Sequence, residues 1–238
     1  MAPASPARAS SDYVTKVVYA SADTSIAPDV GESRGDLPHI EVGGGSVGLL
    51  KFDLNGVIPP GAEVTNAYLA LYLTDYTEGC ELASSGGRSM VSPWTEDSLW
   101  PQARFNVRPI TRPWTEHIQW GDAHEGIGPD VIGSFDVDTP PPPQRTGCDV
   151  TQFVVQWHSG QTSNHGLALT TESDDSFWFY SREGCQENAD HLAIRYLPGP
   201  TPTPTIAGTP TATPRPSATP LPELHLFLAV IQMCAEAL

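Results

Sequence analysis

Basic residues are scarce in this sequence. Its 238 residues include 12 lysines and arginines against 28 aspartates and glutamates, which gives a formal net charge of -16 at pH 7. Binding to nucleic acid or to an anionic membrane needs clustered basic side chains that contact phosphate groups, so neither is predicted as a partner. The acidic surface instead suits calcium, or neutral and cationic polymers.

Cysteine is also sparse, and no two of the four cysteines have the CxxC spacing of a zinc ribbon or a thioredoxin. In an exported protein, Cys80 paired with either Cys148 or Cys185 would close a long loop and stabilise the fold by about 3 to 4 kcal/mol. In a protein that is never exported, these three cysteines are instead expected to be free buried thiols. The sequence leaves both alternatives open.

Long hydrophobic runs are missing at both ends of the chain. Residues 1–11 have no apolar core, so no signal peptide is visible. The tail 223–238 is apolar but shorter than the roughly 20 residues of a transmembrane helix. Proline at nearly every second or third position of 198–222 excludes helix and sheet there. We therefore predict a disordered N-terminal segment (1–11), a folded domain (12–197), a disordered Thr/Pro-rich stalk (198–222) and a short hydrophobic tail (223–238).

The clearest pattern lies between Gly48 and Tyr76. Apolar residues alternate with polar ones around Phe52, as in a strand with one buried face. Pro59-Pro60-Gly61 then predicts a turn between antiparallel strands. After it, aliphatic residues fill one face of a second strand and tyrosines fill the other: Ala67, Leu69, Leu71 and Leu73 against Tyr68, Tyr72 and Tyr76. We expect this strand to be central, with the tyrosine face either covered by a loop or offered to a ligand.

Other strands and one helix complete the prediction. Apolar residues at i, i+3, i+4 and i+7 indicate a helix over 149–158, ended by Gly160. Residues 22–37 are polar and predict a loop, and the tryptophan-rich stretch from Trp94 to Trp120 predicts irregular structure. Further strands are predicted at 12–19, 38–42, 134–137, 166–171, 177–181 and 191–197. Together these patterns indicate an all-β fold, a jelly-roll-like β-sandwich with one short helix.

Seven segments in order resemble the DNRLRE-domain proteins, a group similar to carbohydrate-binding module family 96 and to the disaggregatase-related repeats. The segments are Ala22-Asp23-Thr24, Leu49 to Leu54, Ile58 to Leu73, Trp114 to Trp120, Asp149 to Gly160, His165 to Leu169, and Phe179 to Glu183. The resemblance implies a non-catalytic jelly-roll sandwich on secreted or cell-surface bacterial proteins, often beside polysaccharide-active domains. It also implies that acidic polysaccharides are among the ligands of such domains.

Aromatic side chains are the predicted sugar-binding groups, because the C–H faces of pyranose rings pack on aromatic rings. The alternative is ordinary core and loop packing, which is expected above all for Trp114. Arg182 is expected either to meet a uronate or to form an ion pair with Glu183. The candidate ligand-binding set is Tyr68, Tyr72, Trp94, Trp100, Trp120 and Arg182.

Four acidic residues near the start of the domain are the candidate ligands of a structural calcium ion: Asp23, Asp29, Glu32 and Asp36. They lack the regular spacing of a calcium loop, so the alternative is solvated loop carboxylates. No other cofactor is predicted.

Catalysis is not predicted. A glycoside hydrolase needs two carboxylates about 5 to 10 Å apart. In a chain this acidic, Glu96 with Glu116, or Glu172 with Glu183, could be so placed by chance. Neither an HExxH motif nor a P-loop is present. The sequence therefore predicts an extracellular or cell-surface module that binds polysaccharide. The alternatives are a structural spacer without a glycan ligand, and a cryptic glycoside hydrolase or polysaccharide lyase.

Overall fold

A computed structural model of the chain describes residues 13–28, 30–31, 34–74, 102–137, 144–184 and 188–199. The described strands are β1 Val14–Tyr19, β2 Ala22–Ile26, β3 His39–Gly43, β4 Val47–Lys51, β5 Glu63–Thr74, β6 Ala103–Pro109, β7 Gly133–Val137, β8 Gln144–Asp149, β9 Leu167–Thr171, β10 Ser176–Tyr180 and β11 His191–Leu197. The described helices are α1 Trp120–His124 and α2 Thr151–His158.

The twelve-residue strand β5 lies at the centre of the first sheet. This sheet has the order β1-β11-β5-β10-β3, and β8 also pairs with β5. Residues Tyr68 to Ala70 pair with β11 on one edge and with β8 on the other, all antiparallel. The predicted central position of this strand is therefore confirmed.

The second sheet has five strands in the order β2-β4-β9-β6-β7. Without β2, β3 and β10, eight strands remain, four in each sheet. Their orders are β1-β11-β5-β8 in the first sheet and β4-β9-β6-β7 in the second. This interleaving of early and late strands is the arrangement of a jelly roll. The predicted fold class, an all-β jelly-roll-like sandwich, is confirmed.

The hydrophobic core fills the space between the two sheets. Its centre is a cluster of phenylalanines around Phe105, whose ring centroid lies 5.1 Å from those of Phe135 and Phe177 and 5.4 Å from that of Phe179. The aliphatic face predicted for β5 belongs to the same core. Helix α2, where it was predicted, adds Val154 and Trp157 to this core. Gly160 follows the helix with a φ of 73°, as predicted for its end.

A smaller hydrophobic cluster lies on the outer face of the second sheet. Leu49 contributes to it, while its neighbour Leu50 points into the main core. Trp114 is 6% exposed in this cluster, and its Nε1–H donates to the His165 carbonyl oxygen at 2.7 Å. The prediction that Trp114 is a core residue is confirmed.

Three strands and one helix were not predicted from the sequence. Residues 22–37 were predicted as loop, but β2 pairs with β4 over its whole length. The polar side chains of β2 can be buried because they form hydrogen bonds within the protein. For example, the Glu41 N–H donates to Ser25 Oγ at 2.6 Å. Strand β6 crosses the stretch predicted as irregular, and β8 and the short α1 lie in segments without alternating polarity.

Within the described ranges, no helix combines the length and the apolar composition needed to cross a membrane. The predicted segments 1–11 and 223–238, and nearly all of the stalk, lie outside the described residues.

Candidate functional site

Tyrosine side chains gather on the outer face of the first sheet. The residues of this surface are Tyr13, Tyr19, Tyr68, Tyr72 and Tyr180, which we call the tyrosine face. Tyr13, Tyr19 and Tyr68 are exposed by 47%, 48% and 39%. Val17, 52% exposed, lies beside them on β1. Four of the seven large hydrophobic side chains that are exposed among the described residues therefore lie on this one face.

Strand register explains why distant parts of the chain share this face. Tyr19 pairs with His191, and His191 pairs with Ala70. In the next row, Val17 pairs with Ala193, which pairs with Tyr68. Because residues directly opposite in a sheet point to the same side, the side chains of β1, β11 and β5 form one continuous surface.

Gly147 on β8 sets the position of the Tyr68 ring. Its φ of +146° favours glycine, and a Cβ atom at this position would lie 1.8 Å from the Leu69 carbonyl oxygen. The same Cβ would lie 3.1 Å from Cε1 of Tyr68, so the ring leans across the glycine. Burial against the sheet, with a smaller contribution from Cys148, raises the pKa of Tyr68. Tyr68 therefore rests on the sheet and keeps more than a third of its surface in solvent.

A second pair of rings extends the tyrosine face toward β10. The ring centroids of Tyr72 and Tyr180 are 5.7 Å apart with an interplanar angle of 35°. At the opposite edge, the Tyr19 ring lies 5.5 Å from the ring of His191. Tyr180 is only 3% exposed, so the aromatic surface open to solvent extends from β1 to Tyr72 on β5.

Two arginines lie among these tyrosines. The Arg195 guanidinium lies 3.9 Å from the centroid of the Tyr13 ring, a cation–π contact. Arg145 pairs with Tyr72 across β8 and β5, and it is exposed. Within the described ranges, neither arginine forms an ion pair with a carboxylate. Both are placed to meet an anionic group on a ligand.

The other predicted aromatic residues are not brought to this surface. Trp120 starts α1 and packs against the small cluster on the second sheet, on the opposite side of the sandwich, with its ring 4.5 Å from that of His124. Trp94 and Trp100 lie outside the described residues. The structure therefore unites only Tyr68 and Tyr72 of the predicted set. Sequence patterns missed Tyr13, Tyr19 and Tyr180, although Tyr19 ends the β-branched run of β1 and Tyr13 directly precedes it.

A polar groove on the outer face of the second sheet is the rival surface. It consists of two adjoining cavities of about 360 and 380 Å³ that share Asn106 and Glu172. Its arginines are already engaged: Arg104 bonds Ser134 at 2.7 Å and Asp136 at 3.3 Å, and Arg108 donates to the Pro129 carbonyl oxygen. None of the described residues that line the groove is a tyrosine, tryptophan or phenylalanine.

The largest of the described cavities, about 690 Å³, lies at the end of the sandwich near the β4–β5 loop. Lys51, Asp53, Trp157 and Asn164 are among its lining residues. The Asp53 carboxylate is already hydrogen-bonded within its own loop, since it accepts from the backbone and side-chain N–H groups of Asn55. This cavity and the two groove cavities each contain a single carboxylate, Asp53 or Glu172.

Arg182 is held by carboxylates of the protein. Its Nε lies 2.6 Å from Glu183 Oε1, which confirms the predicted ion pair, and 3.0 Å from Glu116 Oε1. The Arg182 backbone N–H donates to Asp23 Oδ2 at 3.0 Å. Arg182 therefore belongs to an internal charge network and not to the tyrosine face.

The predicted calcium ligands are separated by the fold. Asp23 is 1% exposed inside β2, whereas Asp36 is exposed in the loop before β3. Asp29 and Glu32 lie outside the described residues. In the part of the chain that the structure describes, no group of three or more His, Cys, Asp or Glu side chains has the geometry of a metal site.

Cys148 is a free thiol, 6% exposed, so the predicted Cys80–Cys148 pairing is not formed. Its side chain points into the core, where a Cβ at Gly133 would lie 2.7 Å from its Sγ. Burial, followed by the charge of Asp149, raises the pKa of the thiol to about 11. The alternative Cys80–Cys185 pairing lies outside the described residues.

This environment predicts that Cys148 resists alkylation. Since the thiolate is the reactive form, we expect the peptide containing Cys148 to stay unlabelled by iodoacetamide in the native protein at about pH 8 and to be labelled fully in denaturant. Mass spectrometry of the digested protein measures both. Equal labelling rates in the two states, or a disulfide-linked peptide containing Cys148, would contradict the structure.

The segment Gly44 to Gly48 matches the G-x-S-x-G pattern, which in α/β-hydrolases holds a nucleophilic serine at a strand-to-helix turn. Here it forms the turn between β3 and β4, closed by hydrogen bonds between Gly43 and Ser46 in both directions. Ser46 is 6% exposed. The pattern therefore does not form a nucleophile elbow.

No protein-family model matches the chain, and no curated protein matches it significantly.

Proposed function

We propose that this protein is a non-catalytic module that binds polysaccharide across the tyrosine face. The observation that carries the proposal is the concentration of exposed aromatic side chains on one sheet. Of the seven large hydrophobic residues exposed among those described, Tyr13, Val17, Tyr19 and Tyr68 lie on this face. Tyrosine suits such a role because its ring is apolar and its hydroxyl remains hydrated.

The spacing of the rings supports an extended ligand. Tyr19 and Tyr68 lie on strands separated by one intervening strand, β11, so the two strands are roughly 10 Å apart. The face continues along β5 to Tyr72, which is partly exposed and packs against the buried ring of Tyr180. A flat surface of this extent fits several consecutive sugar rings, in contrast to a pocket that holds one.

Two arginines of the face favour an acidic polymer, while the exposed Asp149, which pairs with Tyr68, adds one negative charge. Arg145 and Arg195 lie beside Tyr72 and Tyr13, and neither is neutralised by a described carboxylate. Guanidinium groups bind carboxylates in a bidentate geometry. Uronate-containing polysaccharides are therefore the first ligands to test, although the net charge of -16 opposes long-range attraction of any polyanion.

The resemblance to the DNRLRE-domain proteins supports the same proposal, because it implies a non-catalytic polysaccharide-associated sandwich. The Thr/Pro-rich composition of 198–222 agrees with display on a stalk. An extracellular or cell-surface location is part of the proposal, since the ligand is found there.

Two rival functions make different predictions. A structural spacer has the same fold and binds no glycan. A glycoside hydrolase or lyase needs two carboxylates across a cleft. Glu116 and Glu183 are both bound to Arg182, Glu172 lines the polar groove, and Glu96 lies outside the described residues.

Native gel electrophoresis in the presence of soluble polysaccharides tests the proposal. The panel includes polyuronates, neutral glucans and a sulfated polymer, with serum albumin as the non-binding control. We expect retardation by at least one polyuronate and no release of reducing ends or unsaturated uronate from it. Unchanged mobility on the whole panel would favour the spacer, and product release would favour the enzyme.

A further inference from the structure

Two aspartates are buried near each other at the corner where the chain passes from β1 to β2. Asp23, the second residue of β2, is 1% exposed, and Asp190, immediately before β11, is 0% exposed. The Ala20 N–H donates to the Asp190 backbone carbonyl at 2.9 Å, which holds the two segments together. Burial raises the pKa of Asp190 well above its usual value, and the charge of Asp23 raises it further. The hydrogen bond from Ala20, three residues before Asp23, therefore places the two buried aspartates at the same corner.

The negative charge at this corner is not balanced by the described residues. Neither carboxylate oxygen of Asp190 accepts a hydrogen bond from them. Asp23 accepts one, from the Arg182 N–H. The Arg182 guanidinium is already bound by Glu116 and Glu183, so a single positive group faces three carboxylates, those of Asp23, Glu116 and Glu183.

A buried carboxylate without a partner is costly, and buried charges in proteins are paired with another charge or coordinate a metal ion. Asp190 therefore requires either a proton or a cation. We propose that Asp23 and Asp190 bind one Ca²⁺ ion that bridges their carboxylates. The proposal is independent of the polysaccharide-binding function.

The chemistry of the corner favours calcium over other divalent ions. Both side chains offer oxygen, and Ca²⁺ takes carboxylates, backbone carbonyls and water in a flexible shell of six to eight ligands. His191, the next residue, points to the opposite face, where its ring packs 5.5 Å from that of Tyr19, so it is not directed at this corner. Mg²⁺ retains several of its waters and is less suited to a buried position. Backbone carbonyls and water would complete the shell.

This site differs from the calcium loop predicted from the sequence. It keeps Asp23 but replaces Asp36, which is exposed, with Asp190, which lies far along the chain and was not a predicted ligand. Because Asp23 lies in the second sheet and Asp190 precedes a strand of the first, a shared ion would join the two layers of the sandwich.

Protonation is the competing state. Burial, with the charge of Glu183 adding to it, raises the pKa of Asp23 to about 7, against the hydrogen bond from Arg182. Near neutral pH a proton and a cation therefore compete for the same carboxylates. Measured metal binding distinguishes the protonated state from the cation-bound state, because only the latter contains a bound ion.

The test compares full-length protein freed of metal by EGTA with the same protein in Ca²⁺ or Mg²⁺. Equilibrium dialysis with elemental analysis counts the bound ion, and thermal unfolding measures its effect. At a Ca²⁺ concentration about a hundred times the Kd, we expect Tm to rise by about 5 to 10 °C, and less in Mg²⁺.

Isosteric Asp→Asn variants test which aspartates bind the ion. We expect Asp190→Asn and Asp23→Asn each to bind one Ca²⁺ fewer than the parent chain and to lose the Tm response, while Asp36→Asn keeps both. The proposal is overturned if the metal-free parent chain binds no Ca²⁺, or if Asp190→Asn binds as much Ca²⁺ as the parent chain. If Asp190→Asn does not fold, the dialysis of the parent chain and the Asp23→Asn variant give the answer.

Discussion

Phe105→Ala is expected to lower the free energy of unfolding by about 3 to 5 kcal/mol, the usual cost of removing a fully buried phenylalanine. Phe105 is 0% exposed and contacts three other phenylalanine rings between the sheets. Two of those rings meet it edge-on, a geometry that stabilises the fold beyond the burial of the ring itself. Alanine would leave a cavity that the paired strands on both sides cannot close.

Urea unfolding followed by circular dichroism measures this loss. Val131→Ala serves as the control, because Val131 is 49% exposed and surface substitutions usually change stability by about 0.5 kcal/mol or less. A loss below about 1 kcal/mol for Phe105→Ala, well under the range for core phenylalanines, would mean that the two sheets do not pack around this cluster.

The double variant Tyr68→Ala/Tyr72→Ala is expected to weaken polysaccharide binding roughly tenfold to a hundredfold. Each stacking contact of an aromatic ring contributes about 0.5 to 1.5 kcal/mol, and about 1.4 kcal/mol corresponds to a factor of ten in Kd. Both rings lie on the outer face of β5, so their removal leaves the core intact. Isothermal titration with the polymer that retards the parent chain measures the change.

Two controls separate stacking from other effects. Tyr68→Phe/Tyr72→Phe keeps both rings and is expected to bind within a few-fold of the parent chain. Trp120→Ala removes an aromatic side chain from the opposite side of the sandwich and is expected to leave the affinity unchanged. Equal losses in the alanine double variant and in Trp120→Ala would point away from the tyrosine face.

Periodicity made part of this fold predictable. The alternation along β5 identified its core face, and the helical spacing of Val150, Val154 and Trp157 identified α2. Both patterns arise because one face of each element packs against the core. The same alternation correctly placed Tyr68 and Tyr72 on the outer face of the sheet.

The elements that were missed depend on contacts distant in sequence. Strand β8 has no alternating pattern, and it is a strand because β5 pairs with it over six residues. Strand β2 is polar, and its burial depends on hydrogen bonds such as that from Glu41 to Ser25. Such partners cannot be identified from local composition.

The candidate sites, like the fold, were only partly predictable from the sequence. Tyr19 joins Tyr68 only through the registers of β1 with β11 and of β11 with β5. Asp190 lies at the same corner as Asp23 only because the strand after Asp190 pairs with β1. In both cases one partner, Tyr19 or Asp190, carries no local signal of the site, and tertiary pairing brings it to the residue that the sequence did indicate.

Backbone NMR of the protein with and without a short oligosaccharide of the bound polymer tests the central claim most directly. We expect amide shifts to change along β1, β5, β8 and β11, around Val17, Tyr68 and Arg145, with little change in the second sheet. Shifts confined to the polar groove around Asn106, or to the cavity around Trp157, would contradict binding at the tyrosine face.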